Sequence, residues 1–207
     1  MRQALMEGIG TFFLVLVIGL TVIVPGAGAM APLAIGGVLM VMVYAGGHIS
    51  GAHYNPAVTL AVWIRGACKT AQVLPYMAAQ VVGAALAALL TGVLKADSRV
   101  APLALEVVPA LLVECVFTFA LATVVLSVAT VKKTAGNSFF GLAIGGTLMV
   151  AVYAGGAISG GAFNPAVAIG ITLMGLSTLG NLWMFLAANL VGGALAALVF
   201  RLTNPDG

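Results

Sequence analysis

The chain contains two copies of one sequence unit, and this repeat constrains the fold more than any other feature. Residues 33–62 align with residues 142–171 at an offset of 109, and twenty of the thirty aligned pairs are identical. We therefore predict a single domain with two similar halves. Repeat one covers about residues 1–95, and repeat two covers about residues 106–207.

The composition places this repeat in a membrane. Hydrophobic residues make up 62% of the 207 residues and charged residues only 6%, and the mean hydropathy is +1.20. A water-soluble domain carries about a quarter charged residues, so a soluble globule is excluded. The eight basic residues are scattered, which excludes a nucleic-acid interface. The sequence therefore predicts an integral membrane protein in contact with lipid.

Six apolar runs are long enough to cross a bilayer, which takes about 20 apolar residues. They cover roughly residues 4–24, 32–50, 71–94, 106–129, 138–158 and 179–202. Two further apolar stretches, residues 55–64 and 164–173, are too short to cross, and each begins with Asn-Pro-Ala. Each repeat therefore holds three spans and one short stretch.

Three spans per repeat require the second repeat to enter the membrane from the opposite side. The two halves are then inverted repeats of an all-α membrane protein, as in several transporter folds. The positive-inside rule places both termini in the cytoplasm. Six basic residues then lie inside and two outside: Arg2, Arg65, Lys69, Lys132, Lys133 and Arg201 against Lys95 and Arg99.

The two Asn-Pro-Ala stretches predict re-entrant half-helices. Asn is a preferred N-cap, and Pro is favoured at the first helical position. Ten helical residues rise about 15 Å, which is half of a hydrocarbon core of about 30 Å. Two such helices would meet at the midplane with their positive N-terminal ends facing one cavity. That arrangement repels cations and lets uncharged solutes pass.

The paired motifs SGAHYNPAV and SGGAFNPAV, with Glu-x-x-Gly-Thr-Phe at Glu7 and Ala-Gln-x-x-Gly within the third span, resemble the aquaporin or major intrinsic protein family. The resemblance covers essentially the whole chain. It implies an hourglass fold, a passive channel and a homotetramer of independent pores. The plasma membrane is the expected location, because the sequence carries no signal for an organelle. The resemblance also implies buried structural roles for Glu7 and Glu114. The pore motifs that it implies are Asn55, Pro56, Ala57, Asn164, Pro165 and Ala166.

The chain departs from this family directly after the second motif. Most members carry Arg there, where this chain has Val167. Ungapped spacing assigns the other positions of the selectivity filter to Ile35, Val152 and Gly161. Such a filter is wide and apolar, and it predicts passage of glycerol or urea as well as water. A one-residue rotation of the fifth span would instead present Tyr153 to the pore.

Other functions remain open at this point. A secondary transporter with an inverted repeat could use Glu7 or Glu114 as a proton site, and a closed pore would suit a junction protein. His48 and His53 are expected to brace a loop rather than form a gate. Two His, two Cys and five acidic residues do not assemble a catalytic set. We therefore expect no enzyme activity, no metal and no cofactor.

Overall fold

A computed structural model describes residues 1–98 and 100–205, so Arg99 lies outside the described residues. Within that part of the chain, eight α-helices follow one another, with short 3₁₀ turns between some of them. They are α1 Arg2–Val22, α2 Ala31–Ser50, α3 Pro56–Arg65, α4 Thr70–Leu94, α5 Val107–Ala129, α6 Phe140–Ser159, α7 Pro165–Leu173 and α8 Leu182–Thr203. Six of these, all but α3 and α7, are long and apolar enough to cross a membrane. The predicted spans are confirmed.

The two short helices, α3 and α7, begin where the Asn-Pro-Ala motifs predict. Their first residues are Pro56 and Pro165. Irregular backbone precedes each of them, over residues 51–54 and 160–163. The predicted fold class, six spanning helices with two re-entrant half-helices, is therefore confirmed.

The helices pack in matched pairs that interlock the two repeats. Helix α1 packs against α4, and its counterpart α5 packs against α8. Helices α2 and α6 contact each other across the molecule. The half-helix α3 of repeat one lies against α8 of repeat two, and α7 lies against α4. Each repeat therefore supplies a wall for the half-helix of the other.

Glycine allows the spanning helices to approach closely within each pair. A Cβ atom at Gly83 in α4 would lie 2.2 Å from the carbonyl oxygen of Gly8 in α1. A Cβ atom at Gly192 in α8 would lie 2.4 Å from the carbonyl oxygen of Cys115 in α5. Small residues at helix contacts are typical of membrane proteins, where close packing replaces the hydrophobic effect between helices.

The outer faces of the spanning helices are apolar, as contact with lipid requires. Val41 of α2 and Val150 of α6 occupy matched positions in the two repeats and are 52% and 61% exposed. Leu89 of α4 and Leu202 of α8 are still more exposed. The hydrocarbon of a bilayer is the solvent that suits these faces.

Candidate functional site

The two motif asparagines begin the half-helices and orient them. The Oδ1 atom of Asn55 accepts a hydrogen bond from the backbone N–H of Ala57 at 2.8 Å. The Oδ1 atom of Asn164 accepts one from the backbone N–H of Ala166 at 2.9 Å. Each side chain thereby satisfies a backbone donor that the first turn of a helix leaves unpaired.

The same asparagines join the two re-entrant loops across the centre of the protein. The Nδ2 atom of Asn55 donates to the carbonyl of Phe163 at 2.9 Å. The Nδ2 atom of Asn164 donates to the carbonyl of Tyr54 at 2.8 Å. An amide nitrogen carries two hydrogens, so each asparagine keeps one N–H for the cavity that both side chains line.

Glu7 lies fully buried in α1 and holds the first re-entrant loop. Its carboxylate accepts hydrogen bonds from the Ser50 hydroxyl at 2.6 Å and from the backbone N–H groups of His53 and Tyr54 at 3.0 and 2.6 Å. The side chain of Gln80 in α4 donates the fourth hydrogen bond at 2.8 Å. A carboxylate buried in a membrane span requires such a set of donors.

Glu114 of α5 repeats this arrangement around the second loop. Its carboxylate accepts from the Ser159 hydroxyl at 2.7 Å and from the backbone N–H groups of Ala162 and Phe163 at 2.9 and 2.7 Å. Asn189 of α8 donates the fourth hydrogen bond at 2.8 Å. The two carboxylates therefore hold the loops in matched ways, and neither faces a described cavity.

Both loops contain a bulky residue in the left-handed backbone region, which the sequence pattern did not predict. Tyr54 has a φ of 50° and Phe163 a φ of 47°. Such conformations cost free energy in residues other than glycine, and they persist where the surroundings over-determine them. Each residue has its N–H held by a buried carboxylate and its carbonyl held by the opposite asparagine. These bonds turn both carbonyls toward the centre of the protein.

Three cavities follow one another through the protein. The cavity beside residues 101–104, which we call the outer cavity, has a volume of about 520 Å³, and the cavity beside residues 134–137, which we call the inner cavity, has about 250 Å³. The central cavity between them leaves about 20 Å³ for the centre of a water molecule, where one ordered water needs about 10–15 Å³. The path is therefore wide at both ends and narrow at the asparagines.

The four residues that spacing assigns to the filter line one cavity. Ile35, Gly161 and Val167 line both the outer and the central cavities, at the junction between them. Val152 lines the outer cavity beside them. Tyr153 is 54% exposed on the outer face of α6, and its hydroxyl donates to the carbonyl of Ala29. The structure thus presents Val152 to the path and turns Tyr153 away from it.

The two histidines differ in their surroundings. His53 is buried, its Nδ1 atom lies 3.1 Å from the Thr59 hydroxyl, and its ring packs edge-on against Tyr76. It also forms part of the central cavity wall. His48 is exposed at the inner cavity. The bracing contacts of His53 are those expected from the sequence, and its place on the cavity wall is additional.

Sequence reasoning missed the apolar side chains that line most of the central cavity. Leu14 of α1 and Leu121 of α5 face it, as do Leu39 of α2 and Leu148 of α6. The repeat carries a signal for these residues. Leu39 and Leu148 are identical at the offset of 109, and Leu14 and Leu121 are identical at the offset of 107 that aligns Glu7 with Glu114.

Comparisons with known proteins agree on one family. The model of the family described as major intrinsic protein matches residues 1–200. Aquaporin NIP1-3 of rice, Oryza sativa subsp. japonica, is 38% identical over 97% of this chain and 73% of its own length. Glycerol uptake facilitator protein-like 6 of Lactiplantibacillus plantarum is 37% identical over the full length of both chains. The aquaglyceroporin of Plasmodium falciparum has a similar fold, with a TM-score of 0.78 at 19% identity over 99% of this chain and 97% of that one.

Proposed function

Since this chain belongs to the major intrinsic protein family of passive membrane channels, we propose that its pore conducts water together with uncharged solutes of the size of glycerol and urea. The chain is a channel for water and small solutes and is not an enzyme. The proposal concerns which solutes pass and which residues select them.

One observation carries this proposal: the central cavity shares lining residues with the outer cavity and with the inner cavity. Ile35, Gly161 and Val167 belong to both the outer and the central cavities. Ile144 belongs to both the central and the inner cavities. The three cavities therefore lie next to one another on either side of the asparagines, and we assign them to the path of the solute.

The electrostatics of the centre favour uncharged solutes. None of the described residues that line the central cavity is an acid, a lysine or an arginine. The N-terminal ends of α3 and α7 meet there, each worth about half a positive charge, and they oppose the entry of cations. The free N–H of each motif asparagine and the carbonyls of the loops replace part of the hydration of a passing molecule.

The junction with the outer cavity favours solutes larger than water. Val167 stands where the family usually has Arg, and Ile35, Val152 and Gly161 add no polar side chain. We assign these four residues to the selectivity filter. Without a guanidinium group, the filter is wider and less polar. The similarity to a glycerol uptake facilitator over the full length of both chains supports this choice of solute.

Proton-coupled transport through a buried carboxylate is not supported. Glu7 and Glu114 each accept four hydrogen bonds from the protein. A proton on either carboxylate would displace a donor from the loop that shapes the pore. We therefore assign both residues a structural role, in agreement with family membership.

The channel is a multi-pass membrane protein, and we propose a homotetramer in the plasma membrane with both termini in the cytoplasm. The distribution of basic residues supports this orientation, because the connection that carries Lys132 and Lys133 then faces inside. Family resemblance supports the tetramer. Chemical cross-linking in native membranes and thiol labelling of single cysteines near each terminus test these two statements.

Stopped-flow light scattering on proteoliposomes tests the proposed solutes. Vesicles that contain the channel should shrink faster than empty vesicles of the same lipid in an impermeant osmolyte. In glycerol or urea they should shrink and then reswell within the same experiment. Rapid shrinkage without reswelling would restrict the channel to water and would contradict the wide filter. Solute flux that saturates and follows a pH gradient would instead indicate a transporter.

A further inference from the structure

The repeat predicts a counterpart for every residue of the assigned filter. At the offset of 109, Ile35 corresponds to Ile144, Val152 to Val43, Gly161 to Ala52 and Val167 to Val58. Three of the four pairs are identical, and the fourth exchanges glycine for alanine. We call Val43, Ala52, Val58 and Ile144 the inner ring. The assigned filter is its outer equivalent.

Three of the four inner-ring residues, Val43, Val58 and Ile144, line the path, whereas Ala52 is buried and lines none of its three cavities. Ile144 lies at the junction of the central and inner cavities, just as Ile35 lies at the junction of the central and outer ones. Val43 lines the inner cavity and Val152 the outer cavity. The two rings therefore flank the motif asparagines, one toward each end of the pore.

The half-helices contribute to both rings through the same helical position. Val58 and Val167 are the third residues of α3 and α7, and each is 2% exposed and lines the central cavity. The loop residues agree as well, since Ala52 has a φ of 53° where Gly161 has a φ of 68°. With Val at position 167, the pore has the same aliphatic side chain at both of these positions.

From this correspondence we infer that the inner ring is a second selectivity filter, in series with the outer ring. This inference rests on the proposed function, because it concerns the solutes that the channel conducts. Two matched constrictions in series each contribute about half of the resistance to an uncharged solute. Widening one of them leaves the resistance of the other in place, so the permeability rises by no more than about twofold.

Alanine substitutions at the two matched valines test this inference. We expect Val58→Ala and Val167→Ala each to raise the glycerol permeability of proteoliposomes by less than about twofold, and the double variant to raise it by more than about fivefold. Removing methyl groups widens the path, and the backbone N–H groups that donate to the capping asparagines remain. Matched controls are Val41→Ala and Val150→Ala, which change the exposed outer faces of α2 and α6 and should leave the permeability unchanged.

Two results would overturn the inner ring while leaving the channel intact. In the first, Val167→Ala alone reaches the permeability of the double variant and Val58→Ala has no effect, which indicates a single outer filter. In the second, all three variants equal the wild type, which indicates that the resistance lies elsewhere. Osmotic water flux measured on the same vesicles reports folding. A wild-type protein that passes neither water nor glycerol would overturn the proposed function itself.

Discussion

The two re-entrant loops present similar surfaces to the pore but are held from behind in different ways. Both use a buried glutamate and a serine hydroxyl in matched positions. Behind the first loop, the Thr59 hydroxyl accepts one hydrogen bond from Gln80 and lies within hydrogen-bond distance of His53. Behind the second loop, the position that matches Thr59 is Ala168. The comparison separates the contacts that shape the pore from those that only stabilise one half.

Two further positions differ between the repeats in the same way, with a polar residue in repeat one and an apolar residue in repeat two. Tyr76 donates its hydroxyl to the carbonyl of Ser50, whereas its counterpart Phe185 has no hydroxyl and is fully buried. Arg65 at the end of α3 corresponds to Met174 after α7. Besides the hydrogen bonds to its buried glutamate, repeat one therefore has further polar contacts behind its loop, where repeat two has apolar packing. Five variants test how the two halves differ, and they are ordered by the size of the expected effect.

Replacement of either buried carboxylate should have the largest effect, because both loops depend on it. In Glu7→Gln or Glu114→Gln, one oxygen becomes an amide group that faces donors, and hydrogen bonds to a charged group are each worth about 1.5–3 kcal/mol. We expect a loss of stability of at least about 3 kcal/mol and loss of water flux. Thermal unfolding in detergent and stopped-flow scattering measure the two effects.

The comparison also predicts which of these two variants loses more stability and water flux. Glu114→Gln should be at least as damaging as Glu7→Gln, because the second loop lacks the polar contacts of His53 and Thr59. Glu106→Gln, at the N-cap of α5 where its side chain makes no capping hydrogen bond, is a suitable control for the loss of one negative charge. Wild-type flux in either loop variant would contradict a structural role for the carboxylates.

The substitution Val167→Arg should change solute selection more than stability. It restores the residue that the family usually carries at this position, and the guanidinium group would occupy space between the outer and central cavities. We expect glycerol permeability to fall by about tenfold, which corresponds to a barrier increase of about 1.4 kcal/mol. Water permeability should fall by less. Equal losses for both solutes would indicate a collapsed pore rather than a narrowed filter.

Thr59→Ala gives α3 the residue that α7 has at the matched position. It should lower the stability of the protein without changing the selection of solutes. The hydroxyl accepts from Gln80 at 3.0 Å and lies 3.1 Å from Nδ1 of His53. Its removal leaves buried polar atoms unpaired, at a cost of about 1–3 kcal/mol. The unfolding temperature should fall, while the ratio of glycerol to water permeability stays constant. The variant Thr59→Ser keeps the hydroxyl and serves as the control.

Sequence reasoning predicted the fold almost completely and the site in part. The repeat, the span lengths and the Asn-Pro-Ala motifs predict the helices, because these features depend on local composition and on a bilayer of known thickness. The pairing of Asn55 with the carbonyl of Phe163 could not be predicted, since it joins two loops that are 108 residues apart. Spacing assigned Val152 to the pore and left Tyr153 as the alternative, and the structure presents Val152 to the path. Helical phase depends on packing against other helices, here on the contact of α2 with α6.

Arg65→Met should have the smallest effect, because Arg65 acts at the edge of the protein. Its guanidinium group donates to the side chain and carbonyl of Thr130 at 3.2 and 3.3 Å and lies 5.3 Å from the centre of the Phe200 ring. These contacts tie the end of α3 to α5 and α8, and the positive charge suits the C-terminal end of a helix. Half-buried contacts of this kind are worth about 1 kcal/mol. If α3 is positioned by its N-terminal hydrogen bonds, as α7 is, then Arg65→Met lowers the unfolding temperature slightly and leaves both permeabilities unchanged. A change in the glycerol-to-water ratio would instead mean that Arg65 helps to set the position of Val58, and the two half-helices would then differ in how they shape the pore.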